Sequence, residues 1–345
     1  MNLWGKTQAE LRQEMLNLGF PSYRGQQLHD YFYARGVHEF DEMKQLPKAL
    51  RSALAGKYTV EFPTVVKQQI TSDSKTAKVL IRYQDGSLVE SVLMNHPYGY
   101  SVCVSTQVGC AVGCTFCASG QNGLIRNLTA EEMLAQLYVF KFLFNIDIHS
   151  LVLMGAGEPL QNYTEVLKFI RRCALPDELN MSYRNMTLST SGLTDQIYRL
   201  AEERLPITLA LSLHAPNDTI RHEIMPISSR YPLPELINSL QHYGMITRRR
   251  ITCEYILIRE INDRLEHADE LARLVKPLRC HVNLIPLNEN KGIALKRPGQ
   301  ADIEAFCARL NQSGIAATVR KEMGKEIQAA CGQLRLQFMQ QAGSV

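Results

Sequence analysis

After residue 100, short apolar runs rich in β-branched residues alternate with longer segments of helical periodicity. The apolar runs are SVCVST, LVLMGAG, MTLSTS, TLALSLH, ITCEYILI and HVNLIPL. The helical segments between them include 130–144, 164–172, 235–243 and 265–275. Because parallel strands need a crossover connection, this alternation predicts a parallel α/β sheet, open or barrel-like, with helices outside.

Glycine and polar residues follow where these strands are expected to end. They are Gly157 and Glu158, Ser189, Ser212 and His214, and Asn288. Binding sites in parallel α/β folds lie at the carboxyl ends of the strands. The sequence therefore places a candidate site at this edge of the sheet.

The first 100 residues follow a different pattern. Apolar residues at helical spacing predict helices over 8–18, 26–33 and 41–54, with Pro47 near a boundary or kink. Strands are predicted over 60–71, 77–83 and 87–95, the last two joined by a hairpin turn at Asp85-Gly86. We therefore divide the chain into a helical segment 1–60, a β-hairpin connection 61–98 and an α/β domain 99–345.

Composition excludes several classes of protein. With 345 residues, 45% apolar and 21% charged, the chain is neither disordered, nor collagen-like, nor a coiled coil. No run of 18 apolar residues and no secretory signal are found, so we expect a cytoplasmic protein without a membrane partner. The net charge of +4 permits an anionic partner such as RNA without requiring one.

Three of the nine cysteines, Cys110, Cys114 and Cys117, form a C-x3-C-x2-C motif. Gly109 and Gly113 would let this loop turn tightly. One interpretation is a structural zinc site completed by a fourth Cys or His, but no second ligand pair at regular spacing is present. Three thiolates with one open metal position favour a [4Fe–4S] cluster instead.

The C-x3-C-x-F-C spacing, followed by a glycine-rich strand end, resembles the radical S-adenosylmethionine (SAM) superfamily. More narrowly, nearly the whole chain resembles the RlmN/Cfr family of RNA adenine methyltransferases. The matching segments are CAVGCTFCASGQNGLIRNLT, LMGAGEPL, TLSTSG, LALSLHAPN, VNLIPLN and EIQAACGQL. The resemblance implies an α/β fold, a partial (β/α)6 barrel, preceded by a small all-α, RNA-binding-like accessory domain and the β-hairpin connection.

The resemblance also implies a cofactor site. Cys110, Cys114 and Cys117 would hold one [4Fe–4S] cluster, whose open iron binds the amino and carboxylate groups of SAM. The SAM contacts carried over from the family are Gly157, Glu158, Ser189, Ser212, Leu213, His214 and Asn288. Two SAM molecules would be used per turnover, one as methyl donor and one as radical source.

Three catalytic roles follow from the same resemblance. Cys331, in AACGQL, would carry the methyl group, and Cys103 would release the RNA–protein adduct by forming a disulfide with it. Glu90, in LVESVL, would accept a proton from the adenine. From spacing alone, Cys103 would be a strand-core residue, and Glu90 could equally be a solvent-facing strand residue.

The implied reaction forms 2-methyladenosine in 23S rRNA, at an adenosine of the peptidyl-transferase centre, and in tRNA, at the adenosine 3′ of the anticodon. An electron donor such as flavodoxin or ferredoxin is implied, and we expect a monomer. Three alternatives stay open: Cfr-like C8 methylation, which gives antibiotic resistance, a radical SAM enzyme acting on a protein, and a zinc-dependent RNA-binding module. Gln121, in SGQNG, resembles the C2 group.

Overall fold

The computed structural model describes residues 1–288 and 294–320. Its helices within these ranges are α1 (Gln8–Asn17), α2 (Tyr23–Tyr33), α3 (Lys48–Lys57), α4 (Ala130–Phe144), α5 (Tyr163–Cys173), α6 (Thr194–Glu202), α7 (Asp218–Ile224), α8 (Leu233–Thr247), α9 (Leu265–Val275) and α10 (Gln300–Gln312). None of these helices combines the length and apolar character that a bilayer span requires.

The predicted helix over 41–54 is confirmed only from Lys48 onward, and the expected boundary near Pro47 is where α3 begins. A short 3₁₀ turn, Phe40–Glu42, comes first, and α3 begins only after Pro47. Proline has no N–H to donate within a helix and disfavours helical geometry in the residue before it. Pro47 therefore marks the start of α3 rather than a kink inside a longer helix.

The strands within the described ranges form two sheets. They are β1 (Thr64–Ile70), β2 (Thr76–Arg82), β3 (Leu88–His96), β4 (Gly99–Cys103), β5 (Gln107–Gly109), β6 (Leu124–Asn127), β7 (Ile148–Leu153), β8 (Met186–Thr190), β9 (Thr208–Ser212), β10 (Ile251–Leu257), β11 (Cys280–Pro286) and β12 (Ala317–Val319). The larger sheet has the order β1-β2-β3-β4-β7-β8-β9-β10-β11-β12, and β5 pairs with β6 separately.

The larger sheet joins two kinds of pairing. From β1 to β4 the neighbours are antiparallel, as in a meander of hairpins. From β4 to β12 every neighbouring pair is parallel, and a helix follows each strand before the next. The units β4–α4, β7–α5, β8–α6, β9–α8, β10–α9 and β11–α10 are the six strand–helix repeats of the predicted fold, which is thereby confirmed.

The two faces of this sheet differ in chemistry. Alternate residues of a strand point to opposite faces. On one face, apolar side chains such as Val102, Leu188 and Leu209 pack into the main hydrophobic core. The alternate positions of the same strands carry polar or nucleophilic side chains: Glu90, Cys103, Ser189, Ser212, Glu254 and Asn283. The inner face of the sheet is therefore the face on which chemistry can take place.

Candidate active site

The three motif cysteines lie on a tight loop between β5 and β6. The Cys110 N–H donates to the Gly123 carbonyl at 3.0 Å, and the Cys117 N–H donates to the Cys114 carbonyl at 3.1 Å. Gly109 has a φ of +84°, and a Cβ there would lie 2.0 Å from the Gly123 oxygen. Only glycine fits at this position, as the sequence suggested for the loop as a whole.

The surroundings of the loop suit an iron–sulfur cluster. The backbone N–H groups of Val112 and Gly157 favour the thiolate form of Cys110 and act to lower its pKa. Cys110, Cys114 and Phe116 pack against a second hydrophobic cluster, formed by Val112, Ala215, Ile224, Met225, Ile256, Ile258 and Leu287. Sulfur ligands, hydrogen bonds to sulfur and an apolar cover are the features that hold and tune such clusters.

The cysteines influence one another electrostatically. Burial and the nearby Cys117 raise the pKa of the Cys110 thiol to about 11, and burial together with Cys117 and Cys110 raises the pKa of Cys114. Metal binding would supply the positive charge that makes these thiols bind as thiolates. Within the described ranges, no three Cys, His, Asp or Glu side chains converge as ligands of a single ion. A cubane cluster requires no such convergence, because each cysteine binds a different iron.

Gly157 and Glu158 follow β7 directly beside this loop. Gly157 has a φ of +110°, and a Cβ there would lie 2.6 Å from the Gln107 side chain. The Glu158 side chain is 2% exposed; its two oxygens accept from the Leu160 and Ser191 N–H groups at 3.0 and 2.6 Å. Burial raises the pKa of Glu158, against these hydrogen bonds. The carboxyl group is thus anchored at the strand ends, with lone pairs remaining for a ligand.

Ser189 and Ser212 lie at the carboxyl ends of the neighbouring strands β8 and β9. Their hydroxyl oxygens are 3.4 Å apart, so the structure brings these two predicted residues together. Leu213, next in the chain, is fully buried, and its N–H donates to the Glu254 carbonyl at 3.0 Å. Leu213 can therefore offer backbone rather than side-chain contacts.

His214 is built into the fold at the end of β9. Its Nδ1 accepts from the Ile256 N–H at 3.0 Å, and its φ is +59°. The ring meets Phe116 of the cysteine motif edge-on, with centroids 5.0 Å apart. Burial, with the charge of Arg221, lowers the pKa of His214 to about 3. A neutral imidazole whose Nδ1 is an acceptor carries its proton on Nε2.

Glu90 and Cys103 share the inner face of the antiparallel part of the sheet. Cys103 lies opposite Val92 in the β3–β4 ladder, and Glu90 is two residues from Val92 along β3. Such diagonal neighbours have Cα atoms about 7–8 Å apart. Glu90 is not solvent-facing: it is buried, and one oxygen lies 2.7 Å from the Lys78 ammonium. Cys103 is also buried.

Two predicted site residues lie at or outside the limits of the described residues. Asn288 is exposed at the last described position before 289. Cys331 lies outside the described residues.

Sequence reasoning missed two buried cations beside the site. Arg221 of α7 is fully buried, and its guanidinium donates to the Ser191, Leu213 and Tyr231 carbonyls at 2.6, 3.2 and 3.4 Å. It thereby joins the segments that follow β8 and β9 to the turn before α8. Lys78 could have been noticed as a cation in the middle of the apolar strand TAKVLIR; no comparable signal marks Arg221.

Comparisons with known proteins agree with this architecture. The family model of the radical SAM superfamily matches residues 104–275, and the model of the ribosomal RNA large subunit methyltransferase N-terminal domain matches residues 1–60. A crystal structure of a radical SAM methyltransferase from Sphaerobacter thermophilus superposes with a TM-score of 0.91 at 44% identity, covering 96% of this chain and 98% of that one. The fold and the cysteine loop thus define a radical SAM enzyme.

Curated relatives narrow the assignment. A probable dual-specificity RNA methyltransferase RlmN from Clostridium beijerinckii is 46% identical over 98% of this chain and 96% of its own length. One from Symbiobacterium thermophilum is 48% identical over 96% of this chain and 90% of its own length. The chain belongs to the RlmN family of radical SAM RNA methyltransferases. Membership of the superfamily implies a [4Fe–4S] cluster and SAM.

Proposed function

We propose that this protein forms 2-methyladenosine in 23S rRNA, at a peptidyl-transferase-centre adenosine, and in tRNA, at the adenosine 3′ of the anticodon. The observation that carries the proposal is the placement of a carboxylate, Glu90, and a thiol, Cys103, on the same inner sheet face. Both lie near the edge at which the cysteine loop and the serines of β8 and β9 are found. The names of the curated relatives support the dual RNA specificity.

The cluster and SAM are assigned to the strand-end site. Cys110, Cys114 and Cys117 would hold the cluster, and one SAM would lie along Gly157, Glu158, Ser189, the 212–214 segment and Asn288. When both are bound and the cluster is reduced, the cluster and SAM would together supply a 5′-deoxyadenosyl radical. The Ser189 and Ser212 hydroxyls suit ribose oxygens, and the Glu158 carboxylate suits the amino group of SAM.

Adenine C2 explains why a radical is needed. This carbon is electron-poor and has no lone pair, so it cannot attack the methyl group of a sulfonium directly. A methylene radical on the sulfur of Cys331, previously methylated by a first SAM, can add to it. Glu90 would then take the C2 proton, and Cys103 would displace the product by forming a disulfide with Cys331 as the carbon–sulfur bond breaks. The released methylene carbon would take up a proton, and the one electron left over would pass to the iron–sulfur cluster.

The remaining assignments complete the proposal. The helical segment 1–60 is proposed as an accessory domain for RNA, 61–98 as the β connection, and 99–345 as the catalytic domain. C2 lies on the minor-groove edge of a paired adenine, so the target base would leave its stack. We propose a cytoplasmic monomer reduced by a small electron carrier such as flavodoxin or ferredoxin.

The proposal is tested on anaerobically reconstituted protein with SAM, a reductant and an rRNA fragment from the peptidyl-transferase centre. Digested nucleosides are compared by mass spectrometry with 2- and 8-methyladenosine standards, and a tRNA transcript is assayed in parallel. We expect 2-methyladenosine, lost in Cys331→Ala and retained in Cys307→Ala on α10. The appearance of 8-methyladenosine would assign Cfr-like regiochemistry. If neither product forms although SAM is cleaved, the assignment of the RNA substrate is refuted.

A further inference from the structure

Lys78 and Glu90 form an ion pair on the inner face of the sheet. The Lys78 Nζ lies 2.7 Å from a Glu90 oxygen, and the two side chains are 0% and 5% exposed. A charge buried this completely cannot use solvent to offset its desolvation. The Lys78 side chain is therefore committed to partners inside the protein.

The register of the sheet places this pair beside Cys103. Lys78 lies opposite Val92 in the β2–β3 ladder, and Val92 lies opposite Cys103 in the β3–β4 ladder. Lys78, Val92 and Cys103 thus form one row across three strands. Glu90 lies in the next row, opposite Leu80. The Lys78 ammonium therefore approaches Glu90 from β2, on one side of β3, whereas Cys103 lies on β4, on the other side of β3.

Stability alone does not account for the pair. Replacing a buried ion pair by apolar residues is often neutral or stabilising, because desolvation of two charges offsets their attraction. On the other face of β2, Ala77, Val79 and Ile81 already pack into the main core. On the face of Lys78 itself, Leu80 is fully buried, so an apolar side chain is also accommodated there. The lysine is better explained by what it does to Glu90.

We propose that Lys78 is a positioning residue for methyl transfer, placing a positive charge against the Glu90 carboxylate and fixing its orientation to receive the adenine proton. This inference rests on the proposed function, in which Glu90 is the proton acceptor. In that step the C2–H bond breaks, its electron pair stays with the adenine ring, and a new O–H bond forms on Glu90. The proton then passes to water before the next turnover.

Other charged or titratable side chains on the inner face do not take the place of Lys78 beside Glu90. Among the described residues, Lys67 of β1 and Arg82 of β2 share the face of Lys78, but Lys67 is partly exposed and Arg82 is exposed. Cys103 approaches from β4. Of these three described cations, Lys78 is the one whose buried ammonium lies against the Glu90 carboxylate.

The test compares Lys78→Met with Lys75→Met in the loaded, RNA-bound enzyme. Lys75 carries the same charge in the neighbouring β1–β2 turn but is exposed, beside Asp73. Single-turnover formation of methyladenosine is followed against pH, using RNA with hydrogen or deuterium at adenine C2. Methylation of Cys331 and release of 5′-deoxyadenosine are measured in the same samples.

We expect Lys78→Met to move the acidic limb of the rate–pH profile upward by about 1–3 pH units. Near neutral pH, product formation should slow about tenfold or more and become sensitive to deuterium at C2. Cys331 methylation should persist, since it precedes proton transfer. Lys78→Arg, which keeps the charge, should restore the wild-type acidic limb.

A pH profile and isotope effect in Lys78→Met equal to those in Lys75→Met would overturn the inference and leave the proposed function standing. Absence of 2-methyladenosine from the wild-type enzyme would instead overturn the proposed function. If Lys78→Met does not fold, Lys78→Gln serves in its place. Its amide can donate a hydrogen bond to Glu90 but brings no charge, so the same shift is expected.

Discussion

Alanine at Gly109 is expected to block cluster binding, whereas alanine at Gly113 in the same loop is not. Both glycines have positive φ, +84° and +74°. An alanine in the left-handed region costs about 1–2 kcal/mol. This backbone cost applies to both variants, so it cancels when they are compared.

The expected difference between the two variants arises from the space available for a Cβ atom at each glycine. A Cβ at Gly113 meets no atom within 4 Å, but one at Gly109 would lie 2.0 Å from the Gly123 carbonyl oxygen. The chain must shift there, and the 3.0 Å bond from the Cys110 N–H to that oxygen is lost. Losing it costs about 1 kcal/mol, before the displacement itself is counted. Each 1.4 kcal/mol against the binding-competent loop weakens apparent cluster affinity about tenfold.

Iron and sulfide per chain, with the absorbance of the cluster, measure loading after anaerobic reconstitution at limiting iron. We expect Gly113→Ala to load nearly as the wild type does and Gly109→Ala to load poorly. Thermal unfolding of both apo proteins checks that the barrel remains folded. Equal loading in the two variants would refute the steric argument.

Two further outcomes are expected. Burial lowers the pKa of His214 from 6.5 to about 3. Below pH 6.5 the unfolded chain therefore binds a proton that the folded chain excludes. The contribution of His214 to the free energy of unfolding is complete above pH 6.5 and is lost as the pH falls toward 3. Urea unfolding of the apoprotein should show about 2 kcal/mol of this loss between pH 7 and pH 5, and His214→Asn should lack it; identical pH slopes in the two proteins would contradict the assignment. Cys103→Ala should accumulate a covalent RNA–protein adduct on denaturing gels, because no thiol remains to release it. Cys173→Ala, a change in the core of α5, is the control, and adduct in both variants or in neither would argue against the role of Cys103.

Local sequence signals explain why some elements could be predicted well. The bounds of α4 and α9 agree with the expected 130–144 and 265–275. In α4 the start is specified by a capping box, in which Thr129 and Glu132 satisfy each other's backbone N–H groups. In the segment 41–54 the apolar spacing predicts one helix, but only the part after Pro47 is α-helical, because proline disfavours helical geometry in the residue before it.

The sequence by itself determined the strand–helix repetition and the cysteine loop, because both depend on residues close together in the chain. Motif resemblance added roles for Glu90 and Cys103, but not their surroundings. Only the tertiary structure decided that β3 pairs with β4 and β2 with β3, which buries Glu90 against Lys78 and turns it toward the face of Cys103. Register along a strand selects which face each side chain occupies, and it depends on partners distant in sequence.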